Sequence, residues 1–247
     1  MIRAIALLLA LAVLPCVVWD APIEAQSRPD LSGYWGAARA AKPDPAMVAK
    51  LPPNTVVLND VGAAELPIGE YGGLIVKSAA LDVARKWKPA DEMTVSRACV
   101  PPSIVYTMQG PFPMEIYQGT ELIVMKLEYF DLVRIIFMNQ KGHPASVPHT
   151  KVGHSIGRWE GSTWVVDTTH IAASTITNNG LDHSDKVRVI ERFWLSPDGN
   201  TLNAVQEFED PEVLANRGAR FIAWTKVPGE HVLPYECDPT YAANYAK

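Results

Sequence analysis

Gly153-His154-Ser155-Ile156-Gly157 reads as G-x-S-x-G, the signature of a serine-hydrolase nucleophile elbow. An elbow needs a strand, a strained turn that carries the serine, and then a helix whose N-terminus helps to build the oxyanion hole. Here the motif is followed by "RWEGSTWVVDTT", a turn and a β-branched strand. The context therefore predicts a hairpin with Glu160-Gly161-Ser162 as its loop, and no nucleophile at Ser155. With that loop Trp159 pairs with Thr163, Gly157 faces Val165 and Ser155 faces Asp167. The two glycines then mark places where another backbone or a ligand approaches closely.

Alternate residues of a strand share a face. On this register one face of the hairpin carries His154, Ile156, Arg158, Trp164, Val166 and Thr168. The other carries Ser155, Gly157, Trp159, Thr163, Val165 and Asp167. The second face leaves more room and holds a carboxylate. It is expected to line a cavity, with Ser155, Trp159 and Thr163 as ligand contacts; the opposite orientation would exchange Asp167 for His154.

Three histidines, His143, His149 and His154, follow one another at spacings of six and five, among Pro144 and Pro148. Neither the i, i+4 pair of a helical zinc motif nor the i, i+2 pair of a strand is present, so no metal is expected. A histidine near pH 7 is a ready proton carrier, and His143 follows directly on an apolar strand. Glu128 and Arg134 flank the turn before that strand. With Phe130-Asp131-Leu132 as the loop they lie opposite each other and form a charge-assisted pair. On a solvated face such a pair is worth about 0–1 kcal/mol; inside a barrel it is a positioned acid. Glu128, Arg134, His143 and Asp167 are thus the expected catalytic cluster.

These residues need elements to hold them. From residue 114 onward the apolar period is two: "TELIVMKLEY", "LVRIIFM", "TWVVDTT", "KVRVIERFWL", "TLNAVQEFE" and "ARFIAWTKV" are rich in Val, Ile, Phe, Trp and Thr and are separated by turn residues such as "SPDGN". The pattern predicts a mainly β fold, an antiparallel meander closed into a barrel or folded as a sandwich. Residues 26–110 read as an irregular segment packed on the barrel of 111–247, with a first short strand in "RPDLSGYWG" and one short helix over 78–88 capped by Ser78.

The chain opens with Arg3 and an apolar stretch from Ala4 to Val18, a signal-peptide pattern with cleavage after Ala25. Periplasmic or secreted localisation follows, with no membrane anchor after cleavage, and Cys16 leaves with the leader. Losing Arg3, Asp20 and Glu24 changes the formal net charge from -5 to -4, which argues against nucleic acid as a partner. Cys99 and Cys237 remain, an even number in an oxidising compartment, and are expected to form a disulfide.

The run "GHSIGRWEGSTWVVDTT", with "RIIFMNQKGHP" before it, "HSDKVRVIERFW" and "EDP" after it and "YEC" near the end, resembles a family of secreted bacterial proteins without an established activity. The resemblance covers roughly residues 97–238. It departs at Ser162, where Asp is expected before Thr163, and at Lys141-Gly142, where Gly-Arg is expected before His143. A looser similarity is to lipocalin-like barrels, whose strands surround a cavity. The resemblance implies no reaction.

Two functions fit: an acid/base enzyme of the lyase, isomerase or hydratase kind that needs no cofactor, or a non-catalytic carrier of a small hydrophobic molecule. No glycine-rich phosphate loop lies in strand-turn-helix context. Convergence of Glu128, His143 and Asp167 on one pocket favours the enzyme; scattering favours the carrier.

Overall fold

The computed structural model describes residues 28–244. The leader, its cleavage site and Cys16 lie outside the described residues. Short elements come first: β1 (Gly33–Trp35), β2 (Arg39–Ala40), α1 (Pro45–Val48), β3 (Thr55–Val57), α2 (Ser78–Ala84), α3 (Pro89–Glu92) and α4 (Ile104–Thr107). Ten strands follow: β4 (Met114–Gln118), β5 (Leu122–Leu127), β6 (Leu132–Phe137), β7 (His154–Glu160), β8 (Thr163–Thr169), β9 (Ser174–Thr177), β10 (Leu181–His183), β11 (Arg188–Leu195), β12 (Thr201–Glu209) and β13 (Arg217–Thr225).

Eleven strands form one sheet in the order β1-β4-β5-β6-β7-β8-β11-β12-β13-β2, with β3 also beside β13, and the sheet curls into a half-barrel. A bridge between Trp35 and Lys226 links β1 to the end of β13. The mainly β expectation holds, with two corrections. β6 runs parallel to β7, and β3 runs parallel to β13, so the sheet is mixed. The β6–β7 connection runs through residues 138–153, long enough for the crossover that a parallel pair requires. The N-terminal segment is also less irregular than its sequence reads, since it lends three short strands to the sheet.

Burial explains the strand patterns. β5 and β6 alternate between buried and exposed positions, as strands covered on one face do. β8, β12 and β13 are buried on both faces, and their polar residues are paired or lie towards the strand ends. The concave face holds the core, including Trp164, Val166, Phe193, Phe208 and Trp224. The outer face of β12 and β13 is covered from the N-terminal segment, where Met47, Ala41, Leu51 and Val57 pack against Val205, Ala219 and Phe221. Met47 is placed by α1, whose first turn is capped by the Asp44 carboxylate accepting from the amides of Ala46 and Met47. The helix expected over 78–88 is α2; Lys77 occupies its N-cap, and Ser78 is its first helical residue instead of the cap.

Candidate functional site

The hairpin turns one residue later than its sequence suggests. Glu160 pairs with Thr163 and Trp159 with Trp164, so the loop is Gly161-Ser162, with Gly161 at φ +62°. A slip of one residue exchanges the faces of one strand relative to the other. Ser155 therefore faces Thr168, not Asp167, and Gly157 faces Val166. Ser155, Gly157, Trp159, Trp164, Val166 and Thr168 point to the concave side. His154, Arg158, Thr163, Val165 and Asp167 lie on the outer side, so the expected cavity-lining set is divided.

Ser155 is buried in a strand that leads into another strand. Its hydroxyl accepts from Arg134 Nε at 3.0 Å and bonds Thr168 Oγ1 at 2.9 Å. It serves as a ligand of an arginine and is not an elbow serine. A Cβ on Gly153 would come within 2.6 Å of the Thr169 carbonyl oxygen, and one on Gly157 within 2.5 Å of Met138 Sδ. Close packing explains both glycines.

Arg134 pairs in register with Met125, not Glu128. The β5–β6 loop is also one residue longer than expected, since Leu127 pairs with Leu132 and residues 128–131 form the turn. Glu128 accepts from the Leu233 amide at 3.2 Å instead. The carboxylate beside Arg134 comes from Glu191 on β11, and both side chains are almost fully buried. A second buried pair joins Arg220 to Asp60 through two bonds of 2.8 and 2.7 Å. Gln206 stands between the pairs, donating to Glu191 Oε1 at 3.4 Å and accepting from Arg220 Nη1 at 3.5 Å. The concave interior is thus filled by core side chains crossed by one polar chain. Arg220 also donates to the carbonyls of Val105 and Ile176 at 2.9 and 2.7 Å, which fixes α4 and β9 against the sheet.

His143 and Asp167 do come together, but on the outer face. His143 Nε2 is 3.5 Å from Asp167 Oδ1, and His143 Nδ1 is 2.9 Å from His154 Nδ1. Asp167 is held by Arg188 through bonds of 3.0 and 2.6 Å. The His170 ring lies 6.4 Å from that of His143 and 5.2 Å from that of His149. Burial and the neighbouring imidazoles together hold His154 and His170 below the ordinary histidine range. Among the described residues, no group of three or more His, Cys, Asp or Glu side chains has the geometry to hold a metal ion.

A cleft of about 410 Å³ opens elsewhere, between the segment 87–102, the β9–β10 ribbon and the turn from β5 to β6. Trp87, Tyr106, Tyr129 and Phe130 give it aromatic walls; Lys151 and Asp182 give it charge. The cleft has the size and the mixed lining of a small-molecule site. Burial by its walls raises the Asp182 carboxyl above the ordinary aspartate value and lowers the Lys151 ammonium. Asp182 remains accessible to solvent, as a carboxylate on a cleft wall should be. Burial likewise pushes Tyr129 up to about 12. Displaced titratable groups gathered in a concavity make this cleft the candidate site.

Each wall is anchored. Gly180, at φ +99°, lets the Trp87 side chain approach so closely that a Cβ there would lie 2.5 Å from Trp87 Cβ. Phe130 adopts φ +56° and Asp131 φ +52°, a conformation that costs a non-glycine residue about 1–2 kcal/mol. The C-terminal tail holds that turn: Tyr235 packs on Phe130 with ring centroids 4.6 Å apart, and its amide donates to Asp131 at 3.1 Å. Two residues on, Cys237 is bonded to Cys99, the disulfide expected from the sequence, beside the wall residues Ala98 and Val100.

None of Glu128, Arg134, His143, Asp167, Ser155, Trp159 or Thr163 lines this cleft. Sequence reasoning missed its residues because they come from separated segments, most of them outside the regular strands. The available signals were Gly180 at the end of the Asn-Asn-Gly turn and the proline pair Pro101-Pro102 beside Cys99. No protein-family model, no curated protein and no solved structure matches the chain.

Proposed function

We propose that this chain is an exported binding protein that takes a small, partly apolar molecule into the cleft beside its half-barrel. The observation that carries the reading is the convergence of four aromatic side chains with Lys151 and Asp182 in one concavity of about 410 Å³. Anchoring by Gly180, Tyr235 and the disulfide supports it, because a preformed site loses less ordering entropy on binding. Export is supported by the leader-like opening and by the Cys99–Cys237 bond. The acid/base enzyme built on Glu128, His143 and Asp167 loses its main support, since Glu128 stands apart from the other two and none of the three reaches the cleft.

The test is mass spectrometry of small molecules retained by the natively purified protein, alongside a Trp87→Ala variant. A molecule retained by the parent and lost from the variant supports the proposal. Retention that is indifferent to Trp87, or no retention together with no binding of an uncharged aromatic probe, overturns it.

A further inference from the structure

We propose that the ligand of this cleft is an aromatic zwitterion of amino-acid size, its cationic group against Asp182 and its anionic group against Lys151. The inference rests on the cleft being the binding site.

Of the charged groups along the cleft, Glu92 and Arg97 are already committed to each other. Arg97 Nε and Nη2 donate to the two oxygens of Glu92 at 3.0 and 2.9 Å, and Trp87 Nε1 donates to the same carboxylate at 3.1 Å. Tyr106 offers only its ring, because its hydroxyl donates to Glu65, which also accepts both contacts from the Asn178 amide. Asp182 and Lys151 are different. Among the described residues no donor reaches the Asp182 carboxylate. The Lys151 ammonium donates once, to the Ala173 carbonyl at 3.1 Å, which leaves two of its three N–H groups unused. Asp182 feels the charges of Glu92, Arg97 and Lys151, and Lys151 those of Asp182 and Arg97, but Asp182 and Lys151 form no ion pair with each other.

An unpaired carboxylate and an unpaired ammonium separated by a gap fit a molecule that carries both opposite charges. An uncharged ligand would leave two partly desolvated charges without partners, and a singly charged ligand would leave one. A zwitterion satisfies both, while Trp87, Tyr129 and Phe130 receive an aromatic side chain. The displaced titrations of Asp182 and Lys151 agree: each group is held towards its neutral form by burial, and a bound counter-charge reverses that.

Calorimetric titration of the oxidised full-length protein near pH 7.5 should compare L-phenylalanine with phenethylamine, which lacks the carboxylate, and 3-phenylpropanoate, which lacks the ammonium. Phenylalanine is expected to bind at least about tenfold more tightly than either, the scale of one charge-assisted hydrogen bond. Asp182→Asn should abolish the preference over 3-phenylpropanoate, and Lys151→Met the preference over phenethylamine. Equal binding of all three compounds, or preferences unchanged in both variants, overturns the inference. An uncharged fluorescent probe, N-phenyl-1-naphthylamine, separates the two levels of the proposal. If the probe binds in a Trp87-dependent way and phenylalanine does not bind, the ligand class is wrong and the cleft reading stands. If neither binds, both fall.

Discussion

Gly180 stands so close to Trp87 that no other residue fits at that position without displacing the indole. A Cβ would meet Trp87 Cβ at 2.5 Å, Trp87 Cγ at 2.8 Å and the Ala84 carbonyl oxygen at 2.9 Å. The backbone at φ +99° is itself unfavourable for any side chain. Gly180→Ala is therefore expected to cost about 2–4 kcal/mol of stability, from strain and overpacking together. It should also move Trp87 and weaken binding of an aromatic probe at least tenfold. Urea denaturation and probe fluorescence measure the two effects; a variant with parental stability and binding would remove the close contact from the account.

The disulfide joins segments 138 residues apart and ties one cleft wall to the tail that packs on the other. In the chain-entropy model, closing a loop of that length contributes about 4–5 kcal/mol. Cys99→Ser with Cys237→Ser should lose a large share of that and should loosen the turn at Phe130, since its left-handed conformation is held by Tyr235. Thermal melting of the double variant, with tyrosine fluorescence as a local reporter, checks this. Unchanged melting would mean that the tail is held without the bond.

Arg220 and Asp60 form a buried pair, and Arg220 also carries the carbonyls of Val105 and Ile176. Arg220→Met leaves Asp60 uncompensated and frees α4 and β9, so a loss of about 3–5 kcal/mol is expected. Adding Asp60→Leu should restore part of it, because removing both charges avoids the unpaired carboxylate. A double variant no more stable than the single one, by denaturant unfolding, contradicts this.

The strands were legible because their chemistry is local. β-branched and aromatic residues at period two placed β5, β6, β8, β11, β12 and β13, and the context after Ser155 excluded an elbow. The faces were harder to read. Register at a hairpin turns on one loop residue, and assigning three residues to the 160–162 loop where the chain uses two separated Asp167 from His154, which share the outer face. The interior arginines left a visible trace: Arg134 and Arg220 each interrupt the buried face of an apolar strand, as do Glu191 and Gln206. Which acid meets which arginine depends on strand order, and β8 pairs with β11 across the excursion of β9 and β10. The cleft was illegible because separated segments of the chain, most of them irregular, build it, and irregular positions have no period.

Ser155 contributes to stability through Arg134. Ser155→Ala removes the acceptor of Arg134 Nε inside the core, where an unsatisfied donor costs about 1–3 kcal/mol. Binding in the cleft should be unaffected, and a serine-directed phosphonate should not label the chain. Stoichiometric labelling at Ser155 would restore the hydrolase reading.

His183 gives the fold a calculable pH dependence. Its Nδ1 lies 2.8 Å from the Ser184 carbonyl, which can only accept, so Nδ1 carries the proton and the bare Nε2 accepts the Ser103 hydroxyl at 2.7 Å. Ser103 in turn caps α4 by accepting from the Val105 amide at 3.3 Å. Burial lowers this imidazole to about 4, against about 6.5 in the unfolded chain. Between those values the unfolded state binds a proton that the folded state refuses, so stability rises with pH across that window. The contribution is complete above about pH 6.5 and is lost as the pH falls towards 4, on the order of 3 kcal/mol in all. His154 and His170, also lowered, act in the same direction. Asp182, whose carboxyl is raised, acts in the opposite sense at the acid end. His183→Gln should be less stable than the parent at neutral pH, because Gln cannot reproduce both bonds. It should also lose less stability than the parent between pH 7 and pH 4.5, by about 2 kcal/mol, since the titrating group is gone. Urea midpoints of the two proteins at both pH values decide the matter: parallel losses would show that His183 does not titrate in this window and that its tautomer is not held as described.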